Sequence, residues 1–281
     1  MKLLNDRSKF RVCVRTFVVL LCIQLGVILG CHGAEKTKVA EGEYGVTESP
    51  SKQALGKTID QWTLWRLPDG RLQVEVILPS WALGRLQQAG RSLVQSFTFA
   101  KNMELIGYEV HAIAKEGQIN LSCELRPRLI RCRDPNAGRA EARVENVPYT
   151  FMPADFYALD WAWFYASVIH DEIRPTFQTP VYWLELPDED SKMKIIPQGS
   201  QPVKFLGNER ISILGKQVNS NKYQFGDQQL IIWTATNSSI VLAAQIAEPE
   251  AASTMTGGSV GKIELVKFMS YDKEFMPELS K

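Results

Sequence analysis

The chain has 281 residues, of which 45% are hydrophobic and 22% are charged, and its formal net charge is +1. These values are typical of a globular protein and exclude a chain that is disordered or membrane-spanning throughout. The near-zero charge, with no long run of like charges, also argues against a nucleic-acid-binding protein, which normally carries a basic patch.

The first 33 residues have the pattern of a secretion signal. Basic residues from Lys2 to Arg15 precede an apolar stretch at residues 17–29. This stretch has the length of a signal-peptide core and is shorter than a bilayer span requires. We therefore predict that residues 1–33 are a signal peptide and that the mature protein works outside the cytoplasm. An uncleaved signal anchor is the alternative.

The residues before Cys31 resemble a bacterial lipoprotein signal, in which a small residue precedes a cysteine that becomes the lipidated N-terminus. Ordinary cleavage after Gly33 or Ala34 competes with lipid attachment at Cys31. A lipid there would anchor the protein to a membrane. Residues 34–58 are polar and lack periodicity, which predicts a flexible tether.

Residues 59–281 are predicted to form a β-rich domain, either whole or as two lobes at 59–150 and 151–281. Residues 59–67 and 71–78 flank Pro68-Asp69-Gly70, a strong turn signal, and the second run alternates apolar and polar residues. Further strand candidates in the first half are residues 91–99, 104–114, 119–125, 130–133 and 140–147.

Two cysteines of the body, Cys123 and Cys132, flank a predicted hairpin. A turn centred between Pro127 and Arg128 places them directly opposite each other. We expect a disulfide in an oxidising compartment, worth about 2.5–3 kcal/mol in the chain-entropy model. A redox-active site would need a Cys-x-x-Cys spacing, which is absent.

Residues 155–170 are predicted to form the one helix of the domain. The stretch contains no Gly or Pro and is apolar nearly all round, which is typical of a helix buried on most sides. It is interpreted either as a core helix clasped by a curved sheet or as a plug over an apolar cavity. The aromatic side chains that would line such a cavity are Tyr157, Trp161, Trp163 and Phe164, with Trp233 from a later strand.

After the predicted helix, strand-like runs follow at an even spacing. They are residues 181–186, 192–196, 203–214, 216–225, 230–235, 240–246 and 260–271. Links of hairpin length between them favour an antiparallel meander. The predicted fold is therefore mainly β: a large curved antiparallel sheet, as an unclosed barrel or two sub-sheets, with one aromatic-rich helix packed against it.

Residues 209–223 and 230–235 carry a further pattern. A Gly ends one strand, a Tyr-bearing strand follows, and the next strand has a central Trp. This pattern resembles uncharacterised exported bacterial β-proteins, a family similar in architecture to the periplasmic lipoprotein carriers LolA and LolB. The resemblance implies a location in the cell envelope and a hydrophobic ligand, and it carries over no catalytic residues.

The sequence motifs do not predict an enzyme, a metal site or a cofactor. Residues 257–261 match a Gly-x-Ser-x-Gly nucleophile pattern, but a strand-like run follows them and no His follows Ser259. His170, Asp171 and Glu172 are the only cluster of catalytic residue types, and adjacent helical residues do not converge on one point.

Three functions are ranked on these observations. The first is a non-enzymatic cell-envelope protein that binds a lipid or a lipidated protein between sheet and helix. The second is an envelope assembly or scaffold factor that binds a protein partner, and the third is a carboxylate-dependent hydrolase assisted by His170. The predicted location is the periplasm or the outer membrane of a Gram-negative bacterium, with membrane association through a lipid anchor and no nucleic-acid partner.

Overall fold

The computed structural model describes residues 35–49, 55–78, 93–114, 117–145, 148–153, 163, 169, 176–185, 192–226, 230–236, 238, 240–246, 261–273, 275, 276 and 279. Internal contacts divide the chain into residues 1–36 and a compact unit from Thr37 to Lys281, which contains every strand. The strands are β1 (Thr37–Glu48), β2 (Thr58–Arg66), β3 (Leu72–Leu78), β4 (Leu93–Phe99), β5 (Leu105–Ala114), β6 (Gly117–Arg126), β7 (Leu129–Asp134), β8 (Gly138–Arg143), β9 (Thr150–Pro153), β10 (Thr176–Glu185), β11 (Lys194–Ile213), β12 (Lys216–Phe225), β13 (Leu230–Ala235), β14 (Val241–Ile246) and β15 (Lys262–Ser270).

All the described strands belong to one sheet. Its order is β8-β7-β6-β5-β4-β3-β2-β1-β15-β14-β13-β12-β11-β10-β9. Neighbours are antiparallel except β9 and β10, which run parallel. Two meanders, β1–β8 and β10–β15, are thus joined at the centre by the pairing of the first strand with the last. The prediction of a large, mainly antiparallel sheet is confirmed, and the sheet is continuous.

The sheet is strongly curved and open. Register shifts interrupt several ladders, including β1–β15, β4–β5 and β11–β12. Such shifts mark β-bulges, which bend a strand and increase its twist. Edge strand β8 consequently comes into contact with β11. Across the interior, the ring of Tyr108 on β5 lies 6.0 Å from that of Phe151 on β9. The curled sheet therefore buries its own apolar face.

Strand β1 lies within the segment predicted as a tether, and the structure differs from the prediction there. Its buried positions include the small residue Ala40 as well as Tyr44. Gly42 carries no side chain, and a Cβ atom there would lie 2.5 Å from Cζ2 of Trp62. Because Ala40 and Gly42 are small, the apolar alternation of this strand is weak in the sequence, although the strand occupies the centre of the sheet.

The predicted fold class included a helix over residues 155–170, and this part of the prediction is wrong. Within the described part of the chain every element is a strand. Of that stretch the structure describes Trp163 and Ile169, both buried. The sheet covers its apolar face by curling, and Trp163 joins that core as a side chain packed against Trp62. No helix among the described residues is long and apolar enough to cross a membrane.

Candidate functional site

Four buried side chains, Tyr44, Asp60, Trp62 and Trp163, form what we call the interior cluster. Each is at most 2% exposed. Tyr44 and Asp60 are register partners on β1 and β2. Asp60 and Trp62 lie on the same face of β2 because alternate residues of a strand point the same way. The Trp62 and Trp163 rings meet edge to face with centroids 5.2 Å apart. The cluster thus places polar groups inside an aromatic core.

Both indoles of the interior cluster carry a buried N–H group. Among the described residues, neither Nε1 of Trp62 nor Nε1 of Trp163 has a hydrogen-bond partner. An indole N–H can only donate, and in a buried site it usually finds an acceptor. Leaving such a donor unpaired costs about 1–3 kcal/mol. Two such donors, on rings whose centroids lie 5.2 Å apart, are suited to an acceptor oxygen that the described residues do not supply.

Tyr44 forms the polar wall of the interior cluster. Its hydroxyl donates a hydrogen bond of 2.6 Å to the carbonyl oxygen of Val241, which connects β1 with β14 across β15. Burial raises the pKa of Tyr44 well above its ordinary value, and the nearby Asp60 carboxylate acts in the same direction. The phenol therefore stays neutral and acts as a fixed donor.

Trp233, the other predicted ligand-binding tryptophan, lies in a different setting. Trp233 and Ile232 are successive residues of β13, so their side chains point to opposite faces of the sheet. Ile232 is the register partner of the buried Tyr223. The Trp233 indole N–H donates to Glu209, and the Nζ atoms of Lys222 and Lys262 lie 5.0 and 5.8 Å from its ring centroid. The structure therefore gives Trp233 a polar, cation-flanked environment on the other face of the sheet from Tyr223.

The predicted hairpin disulfide is present. Cys123 and Cys132 are register partners on β6 and β7, with Cα atoms 4.0 Å apart and a bond between their sulfur atoms. The turn falls at Pro127 and Arg128, as predicted. Both cysteines are buried on the inner face of the sheet. Because successive residues of a strand point to opposite faces, the neighbours of each cysteine along β6 and β7 point to the outer face.

A groove of about 730 Å³ lies on that other face, across β4 to β7. Small residues at its floor, such as Gly107 and Ser122, are surrounded by long charged side chains. The charged residues that line it are Arg71, Glu104, Glu109, Glu124, Arg126, Arg131 and Arg133. Sequence reasoning missed this groove, although charges at alternate positions of β6 and β7 were a visible signal.

Several predicted site residues lie outside the described residues. They are the lipid-attachment candidate Cys31, the aromatic residues Tyr157, Trp161 and Phe164, and the polar cluster His170, Asp171 and Glu172. Within the described part of the chain, no group of three or more His, Cys, Asp or Glu residues could hold a metal ion.

No protein-family model matches the sequence, and no curated protein matches it. Two solved structures show a distant likeness. A DUF1089 family protein from Pseudomonas aeruginosa is 11% identical with a TM-score of 0.38, over 66% of this chain and 89% of that one. A β-barrel-like protein of the domain of unknown function DUF1849 from Brucella abortus is 8% identical with a TM-score of 0.42, over 84% and 98%. The resemblance to LolA and LolB is not confirmed by either.

Proposed function

We propose that this chain is a non-enzymatic, exported cell-envelope protein that binds a lipid-like ligand inside its curved sheet, at the interior cluster. The observation that carries this proposal is the pair of buried indole N–H groups of Trp62 and Trp163, which have no hydrogen-bond partner in the part of the chain that the structure describes. An ester or carboxylate oxygen at the polar end of a lipid would accept from both.

The surroundings of the two indoles suit the apolar part of such a ligand. The Phe99 ring centroid lies 6.4 Å from that of Trp163, and the Phe268 centroid lies 6.2 Å from that of Trp62. Ligand sites are typically apolar with a few fixed polar groups, and Tyr44 adds one more hydroxyl here. The interior cluster thus combines an apolar lining with polar atoms at one point.

The Cys123–Cys132 disulfide supports the exported location. Disulfides persist in oxidising compartments such as the bacterial periplasm and are rare in the cytosol. The signal predicted at residues 1–33 agrees with this location. A lipid carrier or lipid sensor would meet its ligand there.

A second candidate function, the binding of an envelope protein partner, is favoured by one apolar row. Met152, Trp183 and Ile196 align across β9, β10 and β11, next to the edge of the sheet at β9. Trp183 is 40% exposed. Exposed apolar residues beside a strand edge are typical of protein-binding surfaces.

Native mass spectrometry of the protein, purified from the periplasm without detergent, tests the proposed function. We expect a discrete additional mass that is lost on organic extraction and is identified as a lipid. Trp62→Phe and Trp163→Phe keep an aromatic ring and remove one donor each. A hydrogen bond worth about 1.4 kcal/mol corresponds to a roughly tenfold loss of affinity. Each variant should therefore retain much less lipid.

Trp183→Phe is the matched control, because Trp183 is exposed and lies outside the interior cluster. It should retain lipid as the wild type does. Because Trp62 and Trp163 are buried and Phe is smaller than Trp, Trp62→Phe and Trp163→Phe should also lower thermal stability, so retained lipid is compared below the unfolding temperature of each variant. A bare protein mass, or equal lipid in all variants, would contradict the proposal. A copurifying protein lost only in Trp183→Phe would favour the second candidate.

A further inference from the structure

The groove on the outer side of the Cys123–Cys132 hairpin has charges of opposite sign at its two sides. Glu104 lies just before β5 and Glu109 lies on β5, whereas Arg131 and Arg133 lie on β7. Glu109 pairs in register with Ser122, and Ser122 pairs with Arg133. Adjacent strands are about 4.8 Å apart, so the Cα atoms of Glu109 and Arg133 are separated by about 10 Å. A small hydroxyl residue occupies the space between them.

Some of these charges are already neutralised by neighbours. Arg126 pairs with Glu124, and Arg131 contacts Glu124 at 3.8 Å and Glu141 at 2.5 Å. Arg133 and Glu109, in contrast, form no ion pair or side-chain hydrogen bond with any described residue. In this structure they do not pair with each other across Ser122, which lies between them in register. Each is left as an unmatched charge at one side of the groove.

Gly107, which has no side chain, leaves space at the bottom of the groove. A Cβ atom at that position would lie 3.3 Å from the Cβ of Thr98, so the glycine permits close packing of β4 and β5. The side chains of Thr98 and Ser122 add hydroxyl groups to the lining. A groove of about 730 Å³ lies within the usual range of small-ligand sites, which is about 300–1,000 Å³.

We propose that this groove binds a zwitterion that carries a primary amine and a phosphate. The ammonium lies against Glu109, and the phosphate lies against Arg133, with the Ser122 hydroxyl donating to a phosphate oxygen. Arginine is suited to phosphate because its planar guanidinium donates two parallel hydrogen bonds. A simple anion would meet the unmatched Glu109, and a simple cation would meet the unmatched Arg133. Only a ligand with both charges satisfies both residues.

The ligand has two sources that share this chemistry: a free amino-phosphate and the headgroup of a phosphoethanolamine lipid. Calorimetric titration of the purified protein with O-phosphoethanolamine measures the first. Cosedimentation with vesicles of phosphatidylcholine, with and without phosphatidylethanolamine, measures the second. The comparison ligands are ethanolamine, which carries only the amine, and inorganic phosphate, which carries only the phosphate. We expect O-phosphoethanolamine to bind at least roughly tenfold more tightly than either, which corresponds to one satisfied charged contact.

Glu109→Gln and Arg133→Gln test the two ends separately. Because neither residue has an ion-pair partner among the described residues, both variants should fold normally, as circular dichroism will verify. Each should weaken O-phosphoethanolamine binding roughly tenfold or more, while inorganic phosphate binding should fall only in Arg133→Gln. Arg143→Gln is the matched control, since Arg143 is an exposed arginine of β8 outside the groove.

Binding of inorganic phosphate as tight as that of O-phosphoethanolamine would overturn the zwitterion proposal. If Arg143→Gln weakened binding as much as Arg133→Gln, the binding would be a non-specific attraction to positive charge. That outcome would also overturn the zwitterion proposal. Absence of binding to both the soluble compound and the vesicles would do the same. These outcomes are independent of lipid retention at the interior cluster, which Trp163→Phe reports.

Discussion

Gly42 lies where β1 packs directly against the indole of Trp62. A Cβ atom there would lie 2.5 Å from Trp62 Cζ2 and 2.9 Å from the backbone oxygen of Lys267. Gly42→Ala should therefore lower the free energy of unfolding by about 1–3 kcal/mol, as overpacked cores do. At about 2–4 °C per kcal/mol in a domain of this size, thermal unfolding will resolve the change.

Gly107→Ala is the comparison for Gly42→Ala. Its nearest contact is the Thr98 Cβ atom at 3.3 Å, which requires a shift of only a few tenths of an ångström. It should cost clearly less stability than Gly42→Ala. Equal losses for the two variants would show that the tight contact with Trp62 does not limit the core.

Among the predicted residues, Cys123 and Cys132 were paired correctly because their relation is local: a short symmetric turn fixes which positions oppose each other. Trp62 and Asp60 were not predicted as a site. Their neighbour Tyr44 lies on β1, which was not predicted as a strand, and Trp163 is remote from Trp62 in sequence, so alternation alone does not say that they meet.

At the scale of elements, the hairpin of β6 and β7 is held by its disulfide. Replacing both cysteines, as Cys123→Ala with Cys132→Ala, should lower the free energy of unfolding by about 2.5–3 kcal/mol, because the unfolded chain regains the entropy of a short loop. Urea denaturation under non-reducing conditions measures this change. The addition of reductant should lower the stability of the wild type and leave the double variant unchanged. A wild type insensitive to reductant would contradict the assignment.

Strand prediction succeeded where apolar and polar residues alternate, as in β3, and where a turn motif intervenes, as at Pro68-Asp69-Gly70. It missed β1, whose buried positions include residues too small to show the pattern. The helix predicted over residues 155–170 has no counterpart among the described elements, because an apolar aromatic run predicts burial and does not by itself predict a helix.

At the scale of the whole molecule, burial of tyrosine phenols makes stability depend on alkaline pH. Burial raises the pKa of Tyr44, Tyr149 and Tyr223 in the folded protein. In the unfolded chain a tyrosine ionises near pH ~10. The contribution of these tyrosines to the free energy of unfolding is complete below that pH. It is lost as the pH rises, because the unfolded chain then releases protons that the folded chain retains. Stability should therefore fall above pH ~10.

Tyr44→Phe isolates the contribution of the fully buried Tyr44 phenol. It removes the hydrogen bond to Val241, so the variant should be less stable than the wild type at neutral pH. Its stability should also decline less steeply above pH ~10, because one buried phenol no longer resists ionisation. Urea denaturation at a series of pH values gives both quantities. Parallel curves for the two proteins would contradict the role assigned to Tyr44.

The general architecture, one large curved antiparallel sheet, was predictable because evenly spaced strands with short links favour a meander. The pairing of β1 with β15 was not, since it joins residues more than two hundred positions apart. The outer groove depends on the register of four strands, which a single sequence does not fix.

The pairing of β1 with β15 has a consequence for assembly. A chain that emerges N-terminus first can build β2 to β8 by successive hairpins, but one side of β1 stays unpaired until residues 262–270 arrive. The middle of the finished sheet is thus the last part to be completed. Until then, two half-sheets expose open edges at their future junction, and a truncation that removes β15 would leave the protein divided at its centre.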